Sequence, residues 1–164
     1  MRLFWTATYI LAIVLVNKLF VVVPPLATPL GDLYLASVLV GIVFVLRDYA
    51  QREAGHKILI ATAIAGLITW WMTNAGLALA SVTAFAISET TDWAVFSFTR
   101  RPLQSRILIS SLLSAPVDTF AFLHLSGYLT PATFAMEVAS KAAGVFMVWT
   151  LLRWREQTKL QPAQ

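Results

Sequence analysis

Six long apolar runs, separated by short polar or Gly- and Pro-bearing segments, take up most of this sequence. They extend over Leu3–Val23, Leu33–Leu46, Ile58–Met72, Ala75–Phe98, Ile107–Leu125 and Ala132–Leu152. About 20 apolar residues is the length an α-helix needs to cross a hydrocarbon core of ~30 Å. The second run is short for a span and draws in flanking residues from Leu30 to Ala50. Six spans consume about 120 residues of the 164, which leaves no room for a second domain. Composition agrees: 59% of residues are apolar and 12% charged, whereas a soluble domain carries roughly 45–50% and about 25%. A β-barrel is excluded, because the runs lack dyad alternation and are too long for tilted strands. The expected fold is an all-α integral membrane protein, a single domain over residues 1–164 with six transmembrane helices.

The first run has only Arg2 ahead of it and no small-residue cleavage site before Pro24-Pro25, so it is expected to be a retained helix and not a signal peptide. The connections are Ala27–Asp32, Arg47–Lys57, Thr73–Gly76, Thr99–Arg106 and Ser126–Pro131. Six spans put both termini on one side. On that side fall Arg2, then Arg47, Arg52 and Lys57, then Arg100, Arg101 and Arg106, and finally Arg153, Arg155 and Lys159, while the three opposite loops carry no Lys or Arg. The positive-inside rule makes that side, and both termini, cytoplasmic. Ten of the twelve basic residues are explained by topology, so a nucleic-acid partner is not expected despite the net charge of +4. Trp5, Trp70, Trp71, Trp149 and Trp154 lie near run ends, where they are expected to be interfacial anchors in the lipid bilayer.

Lys18, Glu89, Asp92, Asp118, Glu137 and Lys141 lie inside the runs. An ionised side chain at bilayer depth costs at least ~2.5–3.5 kcal/mol, so each needs a partner or a wet cavity. A rise of ~1.5 Å per residue puts Glu89 and Asp118 in the middle third of their spans. Glu89 and Asp92, three residues apart, project from one helix face. Glu137 and Lys141 have the spacing of an internal i, i+4 ion pair. Lys18 can snorkel to the outer interface, and Asn17 and Asn74 can be interhelical hydrogen-bonding glue. Pro116 frees a backbone carbonyl beside Asp118. Asp48 and Arg52, about one turn apart at the end of the second run, are expected to close the cytoplasmic end as a gate.

Catalysis is not expected. No Ser or Thr has a base at a recognisable spacing, and there is neither an H-E-x-x-H nor a Gly-rich phosphate loop. With no cysteine, and with His56 and His124 far apart in the chain, no metal or cofactor is expected. Carboxylates in a dry cavity instead suit a ligand that presents two adjacent N–H donors.

Four segments resemble one family. Phe44-Val-Leu-Arg-Asp48-Tyr-Ala-Gln-Arg52-Glu53-Ala-Gly55, Ile87-Ser-Glu89-Thr-Thr-Asp92-Trp-Ala-Val-Phe96 and Ser114-Ala-Pro-Val-Asp118-Thr-Phe120-Ala-Phe122, together with Glu137 and Lys141 in the last run, are similar in order to the signatures of the queuosine precursor transporters, also called the vitamin uptake transporter family. Asn17 matches an Asn of that family's first helix. Arg47, directly before Asp48, departs from the pattern. The resemblance covers about residues 10–152. It implies import of a 7-deazaguanine such as 7-cyano-7-deazaguanine, or a close relative, across the bacterial inner membrane. A purine-like substrate would meet Asn17, Glu89, Asp92, Asp118, Glu137 and Lys141 through its polar edge, and Trp93, Phe120 or Phe122 through its ring face. Two alternatives stand beside this transporter. One is the substrate-binding module of an energy-coupling-factor transporter, although Ala7 to Ala12 lacks a clean small-xxx-small face. The other is a non-transporting membrane scaffold, which would gain nothing from the cost of inserting those acids.

Overall fold

A computed structural model describes residues 3–28, 31–72, 75–99 and 102–160. Arg2, Asn74, Arg100 and Arg101 lie outside the described residues, as do the side chains of Arg155 and Lys159. The structure is 89% helical, in the order α1 (Phe4–Val22), β1 (Leu26–Thr28), β2 (Gly31–Leu33), α2 (Leu35–Ala54), a 3-10 turn (Gly55–Lys57), α3 (Ile58–Met72), α4 (Ala75–Phe98), α5 (Leu103–Ser126) and α6 (Pro131–Leu160).

The helix ends follow local chemistry. Gly55 ends α2 at φ 62, a conformation that costs glycine nothing. It turns the chain into α3 within three residues. Gly127, at φ 80, ends α5 with a Schellman pair: its N–H donates to the His124 carbonyl at 3.3 Å, and the Tyr128 N–H donates to the Leu123 carbonyl at 3.0 Å. Thr130 and Thr133 then open α6, each hydroxyl accepting from the other's backbone N–H at 3.1 and 3.0 Å, with Pro131 at the first helical position. At the other end of the bundle, Glu53 accepts from the N–H and hydroxyl of Thr6, both at 2.9 Å. It thus supplies a carboxylate to the first turn of α1.

The helices close a ring in which α1 packs on α2, α2 on α6, α6 on α5, α5 on α4, α4 on α3 and α3 back on α1. α2 also touches α5 and α3 across the ring, and its buried residues run along nearly its whole length. The approach of α2 and α6 is set by two glycines. A Cβ on Gly41 would lie 2.0 Å from the Lys141 carbonyl oxygen, and one on Gly144 2.0 Å from that of Val38.

Polarity is distributed inside out. Leu11, Trp71 and Phe98 are 68, 83 and 77% exposed, while Arg47, Asp48, Glu89 and Asp92 are 0% exposed. Apolar side chains on the outside and ionisable ones within suit a lipid solvent. Among the described residues four stretches are long and apolar enough to cross a membrane: Phe4–Val22, Leu35–Met72 with the Gly55 turn inside it, Leu103–Ser126 and Pro131–Trp154. The chain is therefore all-α, and its long apolar helices suggest a membrane protein.

Two expectations from sequence are corrected. The segment before α2 is not a plain loop: β1 and β2 pair antiparallel, Leu26 opposite Leu33, and β2 packs against α6. The polar segment 47–57 is not a connection. α2 runs on through Arg47, Asp48 and Gln51, because nothing between Gly41 and Gly55 breaks a helix, and its polar face is buried against α4 and α5. Arg47 is therefore not one of the loop cations that set topology.

Candidate functional site

The buried polar interior divides into two groups at different depths. The larger surrounds Arg47. Its Nε donates to Glu89 Oε2 at 2.9 Å and its Nη2 to the Glu89 backbone carbonyl at 3.0 Å. Nη1 donates to Gln51 Oε1 at 2.7 Å and to Asp48 Oδ1 at 3.2 Å. Nη1 also lies 2.8 Å from Asp92 Oδ2 as an ion pair without hydrogen-bond alignment. Ser110 of α5 donates to the other Asp48 oxygen at 2.9 Å. Three carboxylates thus share one guanidinium, and only its planar fork could serve so many acceptors. No donor among the described residues reaches Glu89 Oε1 or Asp92 Oδ1 in hydrogen-bond geometry, and the buried hydroxyls of Ser111 and Ser114 likewise lack a partner. Ser114 stands beside Asp92, and Tyr9, hydroxyl to hydroxyl with Thr62 at 3.1 Å, stands beside Glu89.

The second group centres on Lys141. Its Nζ donates to Asp118 Oδ2 at 2.8 Å and to Thr119 Oγ1 at 2.9 Å, and Ser88 donates to Asp118 Oδ1 at 3.1 Å. Glu137 accepts from Ser37 of α2. The expected internal pair of Glu137 with Lys141 is thus replaced by a pair between α5 and α6. The packing of α5 on α6 brings Asp118 within reach of Lys141, whereas Ser37 meets Glu137. Asp118 is not one of the acids around Arg47. The two groups adjoin through neighbouring residues of α4, Ser88 in one and Glu89 in the other.

The other expected site residues are dispersed. Asn17 donates to the Ile13 carbonyl at 2.9 Å and to Thr69 Oγ1 at 3.1 Å, so it ties α1 to α3. Trp93 donates through its indole N–H to His56 Nδ1 at 3.0 Å and packs edge-on to that ring. It faces the end of the bundle and not the Arg47 group. Phe122 is half-buried, and Phe120, 53% exposed, stacks on His124. Lys18 is exposed, as snorkelling requires. The two residues expected to form a gate do not pair with each other: Asp48 is paired with Arg47, while Arg52 is exposed and lines a cavity of about 470 Å³ at the bundle end. Gln51 forms the inner wall of that cavity. Its Oε1 holds Arg47, and its Nε2 donates to Ser97 Oγ on α4 at 2.9 Å, so one side chain touches both the cavity and the buried charges.

Sequence reasoning missed the roles of Arg47, Gln51, Ser110 and Gly41. The signal was present in the stripe Ser37, Gly41, Phe44, Asp48 and Gln51, a helical period of three to four that continues through the supposed loop. Among the described residues no group of His, Cys, Asp and Glu could hold a metal ion. The chain matches no protein-family model, no curated protein and no solved structure.

Proposed function

We propose that this chain is a membrane transporter that imports a purine-like small molecule of the 7-deazaguanine type. Glu89 and Asp92 would take the polar edge of the ring. The observation that carries this reading is the pair Glu89 Oε1 and Asp92 Oδ1. Both belong to carboxylates on one face of α4, both are buried, and among the described residues neither oxygen accepts a well-aligned hydrogen bond, although the hydroxyls of Tyr9 and Ser114 stand close by. Adjacent N–H groups on a planar ring match two such acceptors and offset the excess of carboxylate over guanidinium. Ser114 supplies a further hydroxyl, while Asp118, Glu137 and Lys141 lie further along the bundle. Access from the bundle end requires the Gln51–Ser97 bond to part.

In this reading all six helices span the membrane and both termini are cytoplasmic, which puts Arg52, Lys57, Arg106 and Arg153 on one side. The resemblance of the four sequence segments to the queuosine precursor transporters favours the bacterial inner membrane and this substrate class. The chain has no cysteine, so single cysteines at the exposed Tyr128 and Lys57 report topology. A membrane-impermeant label applied from outside should react at position 128 and not at 57, and the reverse pattern sinks the arrangement. Transport is tested by uptake of labelled 7-cyano-7-deazaguanine into cells lacking their own synthesis and transport, with this chain expressed alone. Accumulation should appear with the parental chain and vanish with Asp92→Asn at equal protein level. Binding without uptake would favour the energy-coupling-factor module, and neither binding nor uptake would leave a scaffold.

A further inference from the structure

The cavity beyond Gln51 has a chemistry unlike that of the buried site. Its wall includes Arg52, His56 and Arg106 together with Ser97 and Phe96, and no acid among the described residues lines it. The nitrogen donors Arg52, His56 and Arg106 come from three elements, the last turn of α2, the 3-10 turn and the first turn of α5, and Ser97 adds a hydroxyl from α4. Arg106 donates through Nε and Nη2 to the Phe96 carbonyl, which satisfies the end of α4, and among the described residues its Nη1 has no hydrogen-bond partner. The Trp93 indole N–H donates to His56 Nδ1, so the imidazole carries its proton on Nε2 and presents a donor there. Arg52 forms no ion pair among the described residues. The first turn of α5 at Leu103 stands in the same wall, and a helix start carries partial positive charge.

We infer that this cavity binds the phosphoryl group of an anionic small molecule. A planar carboxylate is satisfied by a single arginine fork, whereas donors from three elements around one space suit the several oxygens of a phosphoryl group. The volume of about 470 Å³ exceeds what phosphate fills and falls within the range of small-molecule sites, and Phe96 and Leu103 offer apolar wall for an organic remainder. A phospholipid headgroup and a soluble phosphomonoester share this chemistry. The site is separate from Glu89 and Asp92 and does not rest on the transport reading.

The test uses the purified full chain in neutral detergent, titrated with glycerol 3-phosphate and, separately, with short-chain phosphatidylglycerol, each read by tryptophan fluorescence. At least one probe should bind saturably. Arg52→Gln should weaken it at least tenfold, as expected for loss of a charge-assisted contact, while Arg153→Gln, on exposed α6, should leave it unchanged. His56→Ala keeps both cavity arginines and should weaken binding about fivefold. Binding of glycerol 3-phosphate marks a soluble ligand, and binding of the lipid alone marks a headgroup. Saturable binding of neither probe overturns the inference. So does equal weakening by Arg52→Gln and Arg153→Gln, which would reduce the effect to diffuse surface charge.

Discussion

The Arg47 and Lys141 groups solve the same problem, a cation buried between apolar helices, in different ways. Arg47 spends five contacts on three acids, a backbone carbonyl and an amide, drawn from α2 and α4, and its neighbour Asp48 reaches α5 through Ser110. Lys141 has one carboxylate and one hydroxyl, both on α5, and Asp118 is still 15% exposed. A guanidinium with fixed donors in a plane organises several helices at once, whereas an ammonium is a point charge that follows its partner. The first group is therefore expected to be a structural hub that also carries two open acceptors, and the second a replaceable tie between α5 and α6.

The most severe test is Arg47→Gln. Removing the only guanidinium among three buried carboxylates should cost about 3–5 kcal/mol, seen in a thermal melt of the purified chain as a fall of roughly 10 °C or loss of the folded fraction. Arg47→Lys should not restore it, because one ammonium cannot meet the same acceptors. If Arg47→Gln melts with Lys141→Gln, the two groups are equivalent and the distinction disappears.

Gly41→Ala separates the two groups from another direction. Its Cβ would drive into the Lys141 carbonyl, and overpacking of this kind costs about 1–3 kcal/mol. The change pushes α6 off α2 without touching any acid beside Arg47. A melt unchanged by Gly41→Ala would mean that α2 and α6 are not in close contact.

Asp118→Asn should be milder. The amide oxygen can still accept from Lys141, so the loss is that of charge assistance, about 1.5 kcal/mol. Apparent substrate affinity should hold while that of Asp92→Asn falls. A large loss of affinity with an unchanged melt would instead move Asp118 into the substrate site. The smallest effect belongs to Asn17→Leu, which removes one interhelical hydrogen bond to Thr69 and should cost about 0.6 kcal/mol. A loss of uptake without loss of stability there would make Asn17 more than glue.

How much of this was legible in sequence depended on whether a residue's neighbours lay on its own helix. The run bounds of the third and fourth helices coincide with α3 and α4, because apolar length and the Gly, Pro and Asn punctuation around it are local properties. The carboxylates Glu89 and Asp92 were legible as expensive, hence partnered, from their depth alone. Their partner was not, since Arg47 sits among polar residues that resemble a connection, and a cation four residues from Gln51 and ten from Lys57 gives no sign of being buried.

The sequence by itself determined the helical class, the number of apolar runs and which ionisable groups had to be accommodated among them. These follow from hydropathy and spacing, which the chain carries residue by residue. Only the tertiary structure decided who meets whom: that Arg47 takes Glu89 and Asp92, that Lys141 takes Asp118 and leaves Glu137 to Ser37, and that Gln51 touches both a basic cavity and an acidic interior. Pairings of this kind depend on the rotation and separation of helices that are distant in sequence. Those are set by side-chain packing and by close approaches such as Gly41 on Lys141, which no local pattern encodes.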